Sequence, residues 1–133
     1  MDGHQLATSV AVLVQDKLLL DAVADERDGQ DPSVQKLQSA VSSALAELDR
    51  DFAYTQKTAT DTADVGVTGY IAYDDIVVPD CVSAEMLAQL VARNYCILCG
   101  RVDEADVFDG VYDGYAVALR LKRKVKMRPR KFL

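Results

Sequence analysis

The sequence predicts a mainly α-helical domain: a small bundle of about four helices, with an extended loop or β-hairpin arm at residues 53–80 and a basic C-terminal tail. Apolar residues recur at spacings of three and four, helix-capping residues stand at the ends of those runs, and cations crowd the end of an otherwise acidic chain. With 133 residues, 50% of them hydrophobic, the chain has material for one domain with its own core.

The first segment runs from about Leu6 to Val23. Lys17–Val23 reads as helix, whereas the valine-rich Ser9–Val14 reads as strand or helix, because periodicity does not separate the two over so short a run. Asp25-Glu26-Arg27-Asp28-Gly29-Gln30-Asp31 is a polar turn with the outline of a calcium loop. Arg27 stands where an oxygen ligand is needed, however, and no glutamate closes the loop, so the turn reads as a solvated one that ends in a helix cap. Asp31 suits an N-cap, and Pro32 suits the first helical position, where a missing N–H costs nothing. Behind them Val34, Leu37, Val41, Leu45, Leu48 and Phe52 form one apolar stripe on a helix of about 20 residues, roughly 30 Å long. Gln35, Lys36, Ser39, Ser42, Ser43, Glu47 and Arg50 occupy its polar face.

Residues 53–80 change character, with β-prone threonines, tyrosines and valines and with Gly66 and Gly69 for turns. Val65–Tyr73 and Ile76–Val78 are candidate strands. So long a connection is usually functional or disordered. Two readings stand: an arm that reaches a partner through Tyr54, Val67, Tyr70, Tyr73 and Ile76, or a hairpin packed on its own core. Pro79 and Asp80 open the next helix, with Ser83 or Asp80 as its cap. Met86, Leu87, Leu90, Val91, Tyr95, Ile97 and Leu98 make it apolar nearly all round, the mark of a central, buried helix, and Gly100 follows its last turn. Asp103-Glu104-Ala105-Asp106 is an acidic first turn for a last helix carrying Val107, Phe108, Val111, Tyr112, Tyr115, Ala118 and Leu119. Gly110 and Gly114 weaken that helix by around 1 kcal/mol each and leave small sites for close packing.

Charge is the strongest global signal. Arg120, Lys122, Arg123, Lys124, Lys126, Arg128, Arg130 and Lys131 give residues 120–133 a charge of +8, with no acidic residue among them. Residues 1–119 hold the other seven cations against all 21 anions, a net −14, so the whole chain stands at −6. The chain therefore divides into a helical domain, 1–119, with the inserted arm, and a docking tail, 120–133. The tail suits an acidic protein surface first, nucleic acid second and solvent third; Leu121, Val125 and Met127 alternate with its cations as in a one-sided contact, and Phe132 is its one aromatic residue.

Several chemistries find no footing. The best candidate for an apolar span, Val10–Val14, falls far short of the roughly 20 residues a membrane helix needs, and Met1-Asp2-Gly3-His4 does not read as a secretory signal. His4 is the only histidine, which leaves a Ser-His-Asp or Cys-His arrangement without a credible base. Cys96-Ile97-Leu98-Cys99 lies near a helix C-terminus, where the dipole opposes a thiolate, and Cys81 with His4 makes a poor second pair for zinc. The three cysteines read as small buried hydrophobes, and neither catalytic, cofactor nor metal residues are expected.

The order of the pieces resembles a known family. A short helix ends in an Asp/Gly turn; a capped helix ends in Ala44-Leu45-Ala46-Glu47-Leu48-Asp49; a loop leads to a helix with Leu90-Val91-Ala92-Arg93-Asn94-Tyr95-Cys96-Ile97-Leu98; an acidic-start helix carries Tyr112 and Leu119. From about Lys17 to Val125 this is similar to the head–tail connector (adaptor) proteins of tailed bacteriophages, of the Mu-like type. The resemblance implies a structural virion protein, made in the host cytoplasm and placed at the head–tail interface. It implies a ring, commonly of twelve subunits, whose partners are the portal protein, neighbouring copies of itself and a tail-ward stopper or tail protein. DNA would pass through such a ring without specific recognition. The rival reading from charge is a nucleic-acid-associated regulatory protein that uses the basic tail.

Overall fold

The structure, a computed structural model, describes residues 2–51, 75–78 and 81–127, with 122–127 described by their backbone alone. It is mainly helical: α1 (Gly3–Val14), α2 (Lys17–Ala24), α3 (Pro32–Asp51), α4 (Ala84–Leu98) and α5 (Val102–Met127), with no strand among the described residues. Most of the expected arm, including Tyr54, Val67, Tyr70 and Tyr73, lies outside the described residues.

The N-terminal segment forms two helices, so the described residues hold five helices where about four were expected. Ser9–Val14 is helical, because Leu6, Ala7, Val10, Ala11 and Val14 fall on one buried face at helical spacing, which a strand would split between two sides. The break follows from Gln15, which takes a left-handed conformation (φ 53°), and from Asp16, which caps the next helix. Asp16 Oδ1 accepts the backbone N–H groups of Leu18 and Leu19 at 3.0 and 3.2 Å.

The other termini follow the sequence signals closely. Asp31 Oδ1 accepts from the N–H groups of Ser33 and Val34 at the start of α3. The Arg27 guanidinium bonds both Asp25 and Asp31, so a cation of the chain itself stands between the carboxylates of the turn. Burial works against the Asp31 charge, but Arg27 and the two N–H groups hold its carboxyl below the usual range. Ser83 caps α4 through the Met86 N–H at 3.1 Å, so the helix begins a few residues after Pro79. At its other end Gly100 N–H bonds Ile97 O and Arg101 N–H bonds Cys96 O, closing the turn with Gly100 at φ 76°, where a side chain would be strained.

α4 is the central helix, and α1, α3 and α5 all pack against it. Its residues Met86, Leu87, Leu90, Val91, Tyr95 and Cys96 are buried, although Ile97 and Leu98 near its end are exposed. Ile76, grouped with the arm in the sequence, is fully buried as part of the same core cluster as Val82 and Met86. Its side chain is spent inside the bundle.

Asp16 joins two parts of the fold, because its second oxygen, Oδ2, accepts the Tyr95 hydroxyl of α4 at 2.8 Å. Replacing Asp16 with Ala removes the α2 cap and leaves a buried hydroxyl without this acceptor. Chemical denaturation should show a loss of about 2 kcal/mol, and Tyr95→Phe should lose less, since it leaves the cap intact.

Candidate docking surface

α5 is held in place by a polar cluster where α3, α4 and α5 meet. The Arg93 guanidinium donates to both Glu47 oxygens at 3.0 and 2.9 Å and to Asp109 at 2.8 Å, and it lies 5.9 Å from the centre of the Tyr112 ring. Burial opposes the charge on Arg93, but the bonds from Asp109 and Glu47 outweigh it and raise its pKa. Glu47, which the sequence pattern puts on the polar face of α3, is thus half-buried in an interhelical ion pair. Further along, Arg120 stands 3.7 Å from Asp51 at the end of α3.

So anchored, α5 presents two apolar faces. Ala105, Phe108, Tyr112, Ala116 and Leu119 turn toward the bundle. Val107, Val111, Tyr115 and Leu121 turn away from it, 65, 42, 38 and 56% exposed. Gly114 and Ala118 lie on that outer side as well. A Cβ added at Gly110 or Gly114 would meet nothing within 4 Å among the described residues, so packing among them requires neither glycine. Contiguous exposed apolar surface of this kind marks an interaction face more than a random scatter would.

The candidate tail residues divide. Arg120, Lys122, Arg123, Lys124 and Lys126 belong to α5, which runs unbroken across the expected boundary at 119/120 to Met127. Arg128, Arg130, Lys131 and Phe132 lie outside the described residues. At 26 residues α5 is roughly 39 Å long, against roughly 22 Å for the 15-residue α4 on which it lies.

Other surface features are less built. An open groove between α1 and α4 has Val12, Leu13 and Ala88 on its walls, with the buried Gln89 Oε1 lacking a hydrogen bond among the described residues. No cluster of His, Cys, Asp or Glu suited to a metal ion is found among the described residues. Cys96 is buried, and burial pushes its thiol up, against what a nucleophile needs. No helix of the described residues is long and apolar enough to cross a membrane. Comparison with protein-family models, curated proteins and solved structures finds no match to this chain.

Two outcomes follow from this geometry. Gly114→Ala should raise the stability of the free chain by about 0.5–1 kcal/mol, read as a higher midpoint in thermal or chemical unfolding, because the helix gains propensity and no contact is strained. Burial, with Asp51 and Glu47 close by, pushes the Tyr112 phenol up from 10 to about 12. The native state then keeps a proton that the unfolded chain has lost, so its contribution is intact below pH 10 and disappears as pH rises through 12. Tyrosinate absorbance should show a late-titrating group that Tyr112→Phe removes.

Proposed function

We propose that this chain is a structural subunit of a tailed-phage virion, a head–tail connector (adaptor) that forms a ring with copies of itself between the portal protein and a tail-ward stopper or tail protein. The observation that carries the reading is α5, which outruns the helix it packs on and ends in a run of cations on a strongly acidic body. A projecting cationic helix suits an acidic receptor surface on the portal. The rest of the body, at −14 over residues 1–119, would surround a DNA channel without gripping the DNA, since like charges repel. The order of helices supports the reading, because α3, α4 and α5 follow one another as the resemblance implies. The chain would act by binding and not by catalysis. Residues 53–74 would supply contacts to neighbouring copies or the tail-ward component, with Tyr54, Val67, Tyr70 and Tyr73 as the residues to probe.

The test uses the portal protein encoded in the same genome. The full chain should bind portal rings in sedimentation or negative-stain imaging. Replacing Lys122, Arg123, Lys124 and Lys126 together with Glu should weaken that binding about tenfold or more. Unchanged binding would remove the tail from the interface. The same cations support a nucleic-acid-associated protein as a second reading. Titration with duplex DNA at two salt concentrations separates the two: tight binding with a steep salt slope favours the second reading, and its absence favours the connector.

A further inference from the structure

We infer that the outer face of α5 is a self-recognition seam, and that two copies of this chain pair through it as an antiparallel helical dimer. The seam has a defined period. Val107, Val111, Gly114, Ala118 and Leu121 succeed one another at intervals of four, three, four and three, and the sequence continues the alternation to Val125. That is the 3.5-residue repeat of a helix packed along its length on another helix. The described members of this row are all exposed, with Tyr115 and Val117 exposed on either side of it, while α4 already occupies the opposite face.

Charge selects the occupant and its direction. Before Gly114, α5 carries Asp103, Glu104, Asp106, Asp109 and Asp113 and no cation. After Ala118 it carries Arg120, Lys122, Arg123, Lys124 and Lys126 and no anion. Glu104, Asp109 and Arg120 are engaged within the chain, by Arg101, Arg93 and Asp51. Asp103, Asp106 and Asp113 remain exposed to a partner. A parallel copy would set acid beside acid and base beside base, whereas an antiparallel copy sets each acidic half beside the other's basic half.

The spacing is self-complementary in that direction as well, so charge is what sets the direction. With the two helices centred at residue 116, position 107 stands opposite position 125, 111 opposite 121, and 114 opposite 118 of the other copy. Bulky residues meet toward the ends, and the smallest meet on either side of the two-fold axis, where the backbones come closest. The pairing is isologous and closes at two chains. A seam from 107 to 125 is roughly 28 Å long, which places the interface at the small end of stable ones and makes the dimer concentration-dependent. The pairing rests on α5 and not on the connector reading. It does use cations which that reading assigns to the portal, so self-pairing and portal docking would exclude each other.

Sedimentation equilibrium of the full chain over a range of concentrations tests it. The expected result is a reversible monomer–dimer equilibrium that weakens as salt is raised. Val111→Glu, at an exposed site that leaves the core alone, should weaken the dimer by about tenfold or more with an unchanged circular dichroism spectrum. Direction is read from Val111→Cys and Leu121→Cys chains, each built with Cys81→Ser and Cys99→Ser and treated with a mild thiol oxidant. Cross-linking in the mixture, and not in either alone, is the antiparallel result. A chain that stays monomeric throughout, a dimer indifferent to Val111→Glu, a larger ring in the free state, or Val111→Cys cross-linking to itself would each overturn the inference. Portal binding is measured separately, so the failure of one reading leaves the other standing.

Discussion

The fold is organised by the need to bury α4, a helix apolar around most of its circumference. One neighbour cannot cover such a helix. α1, α3 and α5 each take a sector, and Ile76 is buried in the same core. Hydrophobic burial alone is non-directional and leaves the neighbours free to slide. Direction comes from three consecutive residues of α4. Arg93 bonds Glu47 of α3 and Asp109 of α5. Asn94 donates to the Ala40 carbonyl of α3 at 3.2 Å. Tyr95 donates to Asp16 at the α1–α2 elbow. Successive helix residues point about 100° apart, so this short run reaches every neighbour and sets the register of each. Arg101 adds a tie just beyond, by donating to the Val14 carbonyl at the end of α1.

Local signals in the sequence were enough to place most helices. Asp31-Pro32 starts α3 because one side-chain oxygen and one fixed φ serve the same turn, and Gly100 ends α4 because only glycine takes that φ without strain. The split between α1 and α2 was not legible, since nothing about Gln15 announces a left-handed residue and Asp16 reads as an interruption until its bonds to Leu18 and Leu19 are seen. Valine content obscured α1, because a buried helix face and a half-buried strand favour the same residues over a few positions. The long-range polar ties were illegible for a simpler reason. Glu47 lies 46 residues from Arg93, and Asp16 lies 79 from Tyr95, so no spacing rule connects them.

The candidate surface was half legible. The cations of 120–126 stand out in any reading of charge, but their helical continuation from α5 does not, because Arg and Lys are acceptable in helix and tail alike. The apolar residues of α5 look like one stripe in the sequence, Val107 and Phe108, then Val111 and Tyr112, then Ala118 and Leu119. The structure separates each of these adjacent pairs, with Phe108, Tyr112 and Leu119 turned inward and Val107, Val111 and Ala118 turned outward. Two stripes offset by one residue look like a single broad one until a partner helix is placed against it.

That separation bears on why α5 has the composition it does. Among the described residues, Gly110 and Gly114 only weaken the helix, and Val107, Val111 and Leu121 only expose apolar surface to water. For a domain of this size each such loss is a noticeable part of the total stability. Alanine at the glycines and polar residues at the outer positions would serve the isolated fold better, since the Arg93–Glu47–Asp109 cluster and the Ala105–Leu119 face already seat the helix. The contacts among the described residues therefore account for one side of α5 and leave the other unexplained. A surface that is small at its middle, apolar along its length and oppositely charged at its two ends acquires a purpose when a second surface lies against it, and its period, centre and polarity are those of α5 reversed.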